Sequence, residues 1–222
     1  MITIPISTNL FYITLTSGDT VSAEVCFPKD ALAIIVLAHG AGAGMNHVFM
    51  KSISQELASL NIATLRYNFL YMEQKKKRPD FPAVAHQAVA AALLKAHELY
   101  PTLPVFAGGK SFGGRMTSQY LSKHSSDFVK GIVFVGFPLH PAGKPSVERA
   151  DHLKAISTPM LFLQGTRDAL AEWSLITAVT ESLPTATLTK LEGADHSFKT
   201  GKKNLIPSLA TEIQTWIKKI GK

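Results

Sequence analysis

Apolar residues recur along this chain with two different periods, and the switches between them mark its elements. Residues 10–16 and 21–27 read as strands on either side of the turn-prone Ser17-Gly18-Asp19. Residues 32–38 are continuously apolar, the pattern of a parallel strand covered on both faces. That run stops at His39-Gly40-Ala41-Gly42-Ala43-Gly44. Val48, Ile53, Leu57 and Leu60 then fall at helical spacing, with Asn46 as the expected N-cap. A strand over 62–67 and a polar, basic loop over 75–82 come next, followed by an alanine-rich helix over 83–100. A strand over 104–108 runs straight into Gly109-Lys110-Ser111-Phe112-Gly113-Gly114, where a helix starts and continues to about 123. Further strands are expected over 131–135, 160–164 and 186–191, and a last amphipathic helix over 205–220. Eight strands, the later ones separated by helices, predict an α/β fold with a mostly parallel sheet.

Composition narrows this picture. The 222 residues suit one domain spanning 1–222, and 46% hydrophobic against 18% charged residues is the balance of a well-cored protein. The only cysteine, Cys26, lies in a strand-like run, so an intrachain disulfide is excluded and a cysteine-based zinc site is not expected. The opening Met-Ile-Thr-Ile-Pro-Ile-Ser lacks the basic start of a leader, and no apolar run reaches the roughly 20 residues of a membrane span. A soluble, cytoplasmic protein with no membrane contact is therefore expected. The formal charge is +7, with dense spots at Lys75-Lys76-Lys77-Arg78 and at Lys218, Lys219 and Lys222. Neither spot is interleaved with aromatics, so these charges read as solvated surface and no nucleic-acid partner is expected.

The chemistry centres on Gly109-Lys110-Ser111-Phe112-Gly113. A G-x-S-x-G motif is short, but here an apolar strand precedes it and a helix pattern follows it, as a nucleophile elbow requires. The turn is so sharp that the residues two before and two after the serine approach each other, and a Cβ at either would collide. The serine then sits at a helix N-terminus, where free N–H groups favour developing negative charge. A serine hydroxyl needs a base, and the base needs a partner that fixes its tautomer. Asp168 and His196 follow in the chain order of this fold, each directly after an apolar strand. An oxyanion hole is expected from the N–H of Phe112 and that of Ala41 in the glycine loop, with Gly42 as the next choice.

Plainer readings stand beside these. Ser111 can be an ordinary turn serine, Asp168 can cap a helix starting near Ala169, and Asp195 is a rival acid that reaches the adjacent ring poorly. His47 is placed to line a pocket or to sit in the first turn of its helix. Lys110 and Arg115 flank the serine and can bind an anionic substrate group or remain in solvent. Arg66, Tyr67 and Asn68 end a strand near the site and Tyr71 and Met72 follow in the loop, to shape the pocket or to pack beneath. Gly42, His47, Lys110 and Tyr71 are the expected substrate contacts. His86, His97, His124, His140 and His152 read as surface or helix-face residues.

With its His-Gly-Ala-Gly loop, Arg-Tyr-Asn-Phe strand end and serine elbow, the chain resembles the dienelactone-hydrolase-like branch of the α/β-hydrolase superfamily, in particular its small lidless domains. The resemblance extends from the first strand pair to the last helix. It implies an α/β-hydrolase fold whose eight-stranded sheet has its second strand antiparallel, esterase-type acyl transfer, and a supporting role for His39 in its loop. Dienelactone hydrolases carry a cysteine where this chain has Ser111, so their substrate does not carry over. The stretch 137–147 is short where larger relatives insert a cap, which implies no large cap domain and an open, shallow site. The expected activity is a serine hydrolase acting on a small-molecule acyl substrate with no metal or organic cofactor, as a monomer or weak homodimer. A catalytically silent interaction module of the same fold is the alternative.

Overall fold

The computed structural model describes residues 6–220. Residues 1–5 and Gly221-Lys222 lie outside it, and with them most of the N-terminal stretch expected to carry no leader, the ends of the 1–222 domain, and Lys222 of the C-terminal basic spot.

Eight strands form one sheet: β1 Ile6–Thr14, β2 Thr20–Pro28, β3 Ala33–Ala38, β4 Ile62–Tyr67, β5 Val105–Lys110, β6 Val129–Val135, β7 Met160–Gly165 and β8 Ala186–Leu191. Their spatial order is β1-β2-β4-β3-β5-β6-β7-β8. β2 is antiparallel to both β1 and β4, and every other neighbouring pair is parallel. The expected α/β-hydrolase fold is therefore present, with its mostly parallel sheet and antiparallel second strand.

The helices cover both faces. α1 (Val48–Ser59) and α6 (Ile206–Ile220) lie on one; α3 (Pro82–Leu99), α4 (Phe112–Leu121) and α5 (Trp173–Glu181) lie on the other. This explains the unbroken apolar run of β3. Ile34, Val36 and Ala38 point to the α3–α4 side, while Ala33, Ile35 and Leu37 point to α1 and α6. α3 packs through small residues at helical spacing, Ala85, Ala88, Ala92 and Ala96, and carries Pro82 in its first turn, where a missing N–H costs nothing. The segment 136–147 crosses the top as a short loop without an inserted cap.

Several details differ from the sequence reading. β1 lies four residues upstream at its start because it pairs with β2 along its whole length, and the turn is closed by Leu15 N–H donating to Asp19 O. His47, not Asn46, caps α1, its Nδ1 accepting from Phe49 N–H at 3.2 Å. Tyr71 and Met72 lie on a short helix, α2 (Leu70–Glu73), rather than in a loop. A 3₁₀ segment at Glu148–Ala155, α5, and a hairpin of β9 (Lys199–Thr200) and β10 (Lys203–Asn204) are elements the pattern did not mark. Among the described residues no helix is long and apolar enough to cross a membrane.

Candidate active site

The elbow is built by close backbone approach. A Cβ on Gly109 would stand 2.6 Å from Ala38 O and 2.8 Å from Gly113 C; one on Gly113 would stand 2.5 Å from Ala38 O. All three distances are far inside van der Waals contact, so only glycine fits at either position. Between them Ser111 is held at φ 50°, ψ −115°, a region that side chains rarely occupy and that is sustained only where the surroundings over-determine it. The sharp turn lifts Ser111 Oγ off the end of β5 at the start of α4.

Two loops at the carboxyl ends of β7 and β8 bring partners to it. Ser111 Oγ lies 2.8 Å from His196 Nε2, and His196 Nδ1 lies 2.7 Å from Asp168 Oδ2. Asp168 is 4% exposed and its carboxylate accepts two further bonds, from Gln164 Nε2 at 2.6 Å and from Leu170 N–H at 2.8 Å. With an ionised acceptor on Nδ1, His196 carries its proton there and leaves Nε2 free to take the serine proton. Asp195 is not the partner of His196: its Oδ1 accepts from Ser197 N–H and Lys199 N–H and closes the loop. Asp168 does not cap a helix near Ala169 either, because α5 starts only at Trp173 with Glu172 before it.

Phe112 N–H opens α4 and has no partner among the described residues, as the first N–H groups of any helix do. Ala41 N–H is likewise unpaired, and Gly40 packs against Lys110 and Ser111, which places the glycine loop beside the elbow. Gly42 is different. Its N–H donates to Tyr71 Oη at 2.9 Å, so it is no free oxyanion donor. Tyr71 is fully buried. Gly42 and Tyr71, expected as substrate contacts, are joined by this bond into a brace of the glycine loop, and neither is among the residues that line the cleft. Arg66 and Asn68 brace the same loop from below: Arg66 Nη1 donates to Met45 O at 2.6 Å and pairs with Glu24, and Asn68 Oδ1 accepts from Met45 N–H at 2.7 Å.

Two buried histidines act alike. His39 Nδ1 donates to Gly40 O at 2.7 Å, and its Nε2 accepts from Phe69 N–H at 3.1 Å. His140 Nδ1 donates to Pro141 O at 2.9 Å and its Nε2 accepts from Glu172 N–H at 3.0 Å, tying the 136–147 loop to the loop after Asp168. His140, at 3% exposure, is therefore a buried strut rather than the surface residue its sequence position implied.

Burial strips water from the charged ring and lowers His39 from 6.5 to about 4, against the opposing pull of the Gly40 carbonyl and Glu73. The unfolded chain, with the ordinary value, binds this proton first as pH falls. The contribution to stability is therefore complete above pH 6.5 and lost on the way down to about pH 4. At about 1.4 kcal/mol per pH unit the loss is roughly 3 kcal/mol. Urea unfolding between pH 7.5 and 4 is expected to fall off less steeply in His39→Gln than in the unaltered chain; parallel profiles for the two would refute this role.

The serine opens into a cleft of about 960 Å³. One wall is the start of α1, with His47, Val48 and Phe49; the other is Phe198, the β9–β10 hairpin and Ile206. His47 and Lys110 thus line the cleft as expected. Lys110 Nζ donates to His196 O at 2.6 Å and lies 5.2 Å from the centre of the Phe198 ring, and burial lowers it from 10.5 to about 8. Arg115 does not reach the cleft. Sequence reading missed Gln164, the Asp168 partner, whose signal was an amide at the end of a buried apolar strand, where a polar group must find bonds. It also missed the hairpin wall.

Among the described residues no cluster of three or more metal-ligating side chains occurs. Comparison with known proteins fits the geometry. A family model described as an alpha/beta hydrolase domain matches residues 31–221. Similar solved structures include a dienelactone hydrolase from Anabaena variabilis (16% identity, 96% of this chain and 98% of that one, TM-score 0.78). A lidless α/β serine hydrolase from Xanthomonas campestris follows (17%, 97% and 95%, 0.75). Est1E from Butyrivibrio proteoclasticus is a third (13%, 95% and 98%, 0.75). At these identities the structures share the fold, while the family match runs from just before β3 through the last helix, well over half of the chain, and the chain accordingly belongs to the α/β-hydrolase domain family.

Proposed function

We propose that the protein is a serine hydrolase of esterase type, acting on small acyl substrates such as esters or thioesters. The observation that carries this reading is the unbroken line of hydrogen bonds from Ser111 Oγ through His196 to a buried Asp168. His196 Nε2 takes the hydroxyl proton as Oγ attacks the carbonyl carbon. Asp168 holds the imidazole in the Nδ1–H tautomer and stabilises the imidazolium that forms. The unpaired N–H groups of Phe112 and Ala41 receive the oxyanion. The imidazolium then gives its proton to the leaving group, and water, deprotonated by the same nitrogen, hydrolyses the acyl-enzyme. Lys110, donating to His196 O, steadies the loop that carries the base. The names of the structural neighbours, several of them esterases or hydrolases, agree with this reading.

Treatment with a fluorophosphonate followed by peptide mass analysis tests the proposal. One adduct on the peptide containing Ser111 is expected, together with hydrolysis of p-nitrophenyl esters whose rate depends on acyl length. No adduct and no hydrolysis would overturn the proposal in favour of an interaction module.

A further inference from the structure

The ionisable groups that face the cleft beside Ser111, His196 apart, are Lys110, Lys199, Lys202, Lys203 and His47; among the described residues no aspartate or glutamate lines it. The nearby carboxylates are occupied elsewhere. Asp168 accepts three hydrogen bonds, Asp195 takes two backbone N–H groups, and Glu192 pairs with Lys190. Among the described residues none of the four lysines forms an ion pair. Three of them are exposed on one short hairpin, with Gly201 at φ 58° at its turn. The hairpin is fixed to the His196 loop, since Asp195 N–H donates to Lys199 O at 3.1 Å. The backbone that carries three of these charges is therefore tied to the loop that carries His196.

Like charges gathered without ion-pair partners repel one another, and a concave, low-dielectric wall focuses their field. Burial drives the Lys110 ammonium towards neutrality, and the nearby Asp168 and Asp195 carboxylates offset this only in part. Val48, Phe49, Phe198 and Ile206 supply apolar surface to the same cleft. Such a wall fits an apolar stem with an anionic end.

Resting on the serine-hydrolase reading, we infer that this cleft selects acyl substrates bearing a negative charge remote from the scissile bond, held by the β9–β10 lysines. Each exposed pair is worth at most a few-fold, so three together give a preference of about tenfold. Rim charges act mostly on encounter, so the preference shrinks as salt shortens the screening length.

The test uses two eight-carbon probes that differ only at the far end. The p-nitrophenyl monoester of suberate is compared with p-nitrophenyl octanoate for kcat/KM, and monomethyl suberate with methyl octanoate for binding to Ser111→Ala. The anionic probe is expected to win both comparisons about tenfold at low ionic strength and to lose most of that lead in 0.5 M salt, where the screening length is about 4 Å against about 30 Å in 10 mM buffer. In Lys199→Glu/Lys202→Glu/Lys203→Glu the order is expected to invert, a ratio that does not depend on the amount of active protein. Hydrolysis of both esters at equal rates, or a preference untouched by salt and by charge reversal, would overturn the inference alone. Charge-selective binding without hydrolysis of any ester would instead remove the serine-hydrolase reading, and the assignment of a substrate with it.

Discussion

Ser111→Ala is expected to lower kcat for ester hydrolysis by about a millionfold, the loss typical of removing the nucleophile from a triad that acts as a unit. The variant is a clean one structurally. Alanine at φ 50° bears the same backbone strain as serine, so the elbow has no new reason to move. Oγ makes one hydrogen bond, to His196 Nε2, and that nitrogen faces the open cleft, where water replaces the lost partner. What survives is the pull of the Phe112 and Ala41 N–H groups on a developing oxyanion, enough for a residual rate above water and no more. Steady-state hydrolysis of p-nitrophenyl esters, read beside an unchanged thermal midpoint, makes the comparison. A variant retaining a tenth of the activity would mean that another group is the nucleophile.

Asp168→Asn is expected to cost about 10⁴ in kcat, again with the fold preserved. The argument is one of donors and acceptors. The carboxylate receives three donors: His196 Nδ1–H and Gln164 Nε2–H on Oδ2, and Leu170 N–H on Oδ1. An amide has one oxygen. If it keeps the Leu170 bond, its NH₂ faces His196, and the ring must move its proton to Nε2, where it can no longer accept from Ser111. If it turns to serve His196, the half-buried Leu170 N–H loses its acceptor, at a cost of about 1 kcal/mol. Either way the base is misplaced or the loop is weakened. Kinetics in parallel with urea unfolding separates the two; undiminished kcat in a stable variant would mean that Asp168 does not orient the base.

Which features the sequence announced follows from how local their causes are. The elbow was legible because its glycines answer a collision within five residues. β3 was legible because helices on both faces erase its alternation. Asp168 and His196 were legible because this fold collects its chemistry at the carboxyl ends of parallel strands. α5 was not, since Ile176, Thr177, Val179 and Thr180 are β-branched and favour strands in isolation. The β9–β10 hairpin has two-residue strands and no alternation to detect. Gln164, Tyr71 and His140 depended on partners 4, 29 and 32 residues away, the last two far beyond any periodicity.

The conformation of residue 111 carries a further meaning. Glycine would occupy φ 50°, ψ −115° without strain, as Gly109 and Gly113 on either side already relieve the turn of colliding Cβ atoms. For stability alone, a side chain at this position is a defect, and its loss would be a relief. A silent scaffold that had no use for the hydroxyl would gain by shedding it, so residue 111 works as an internal record of whether the chemistry is still needed.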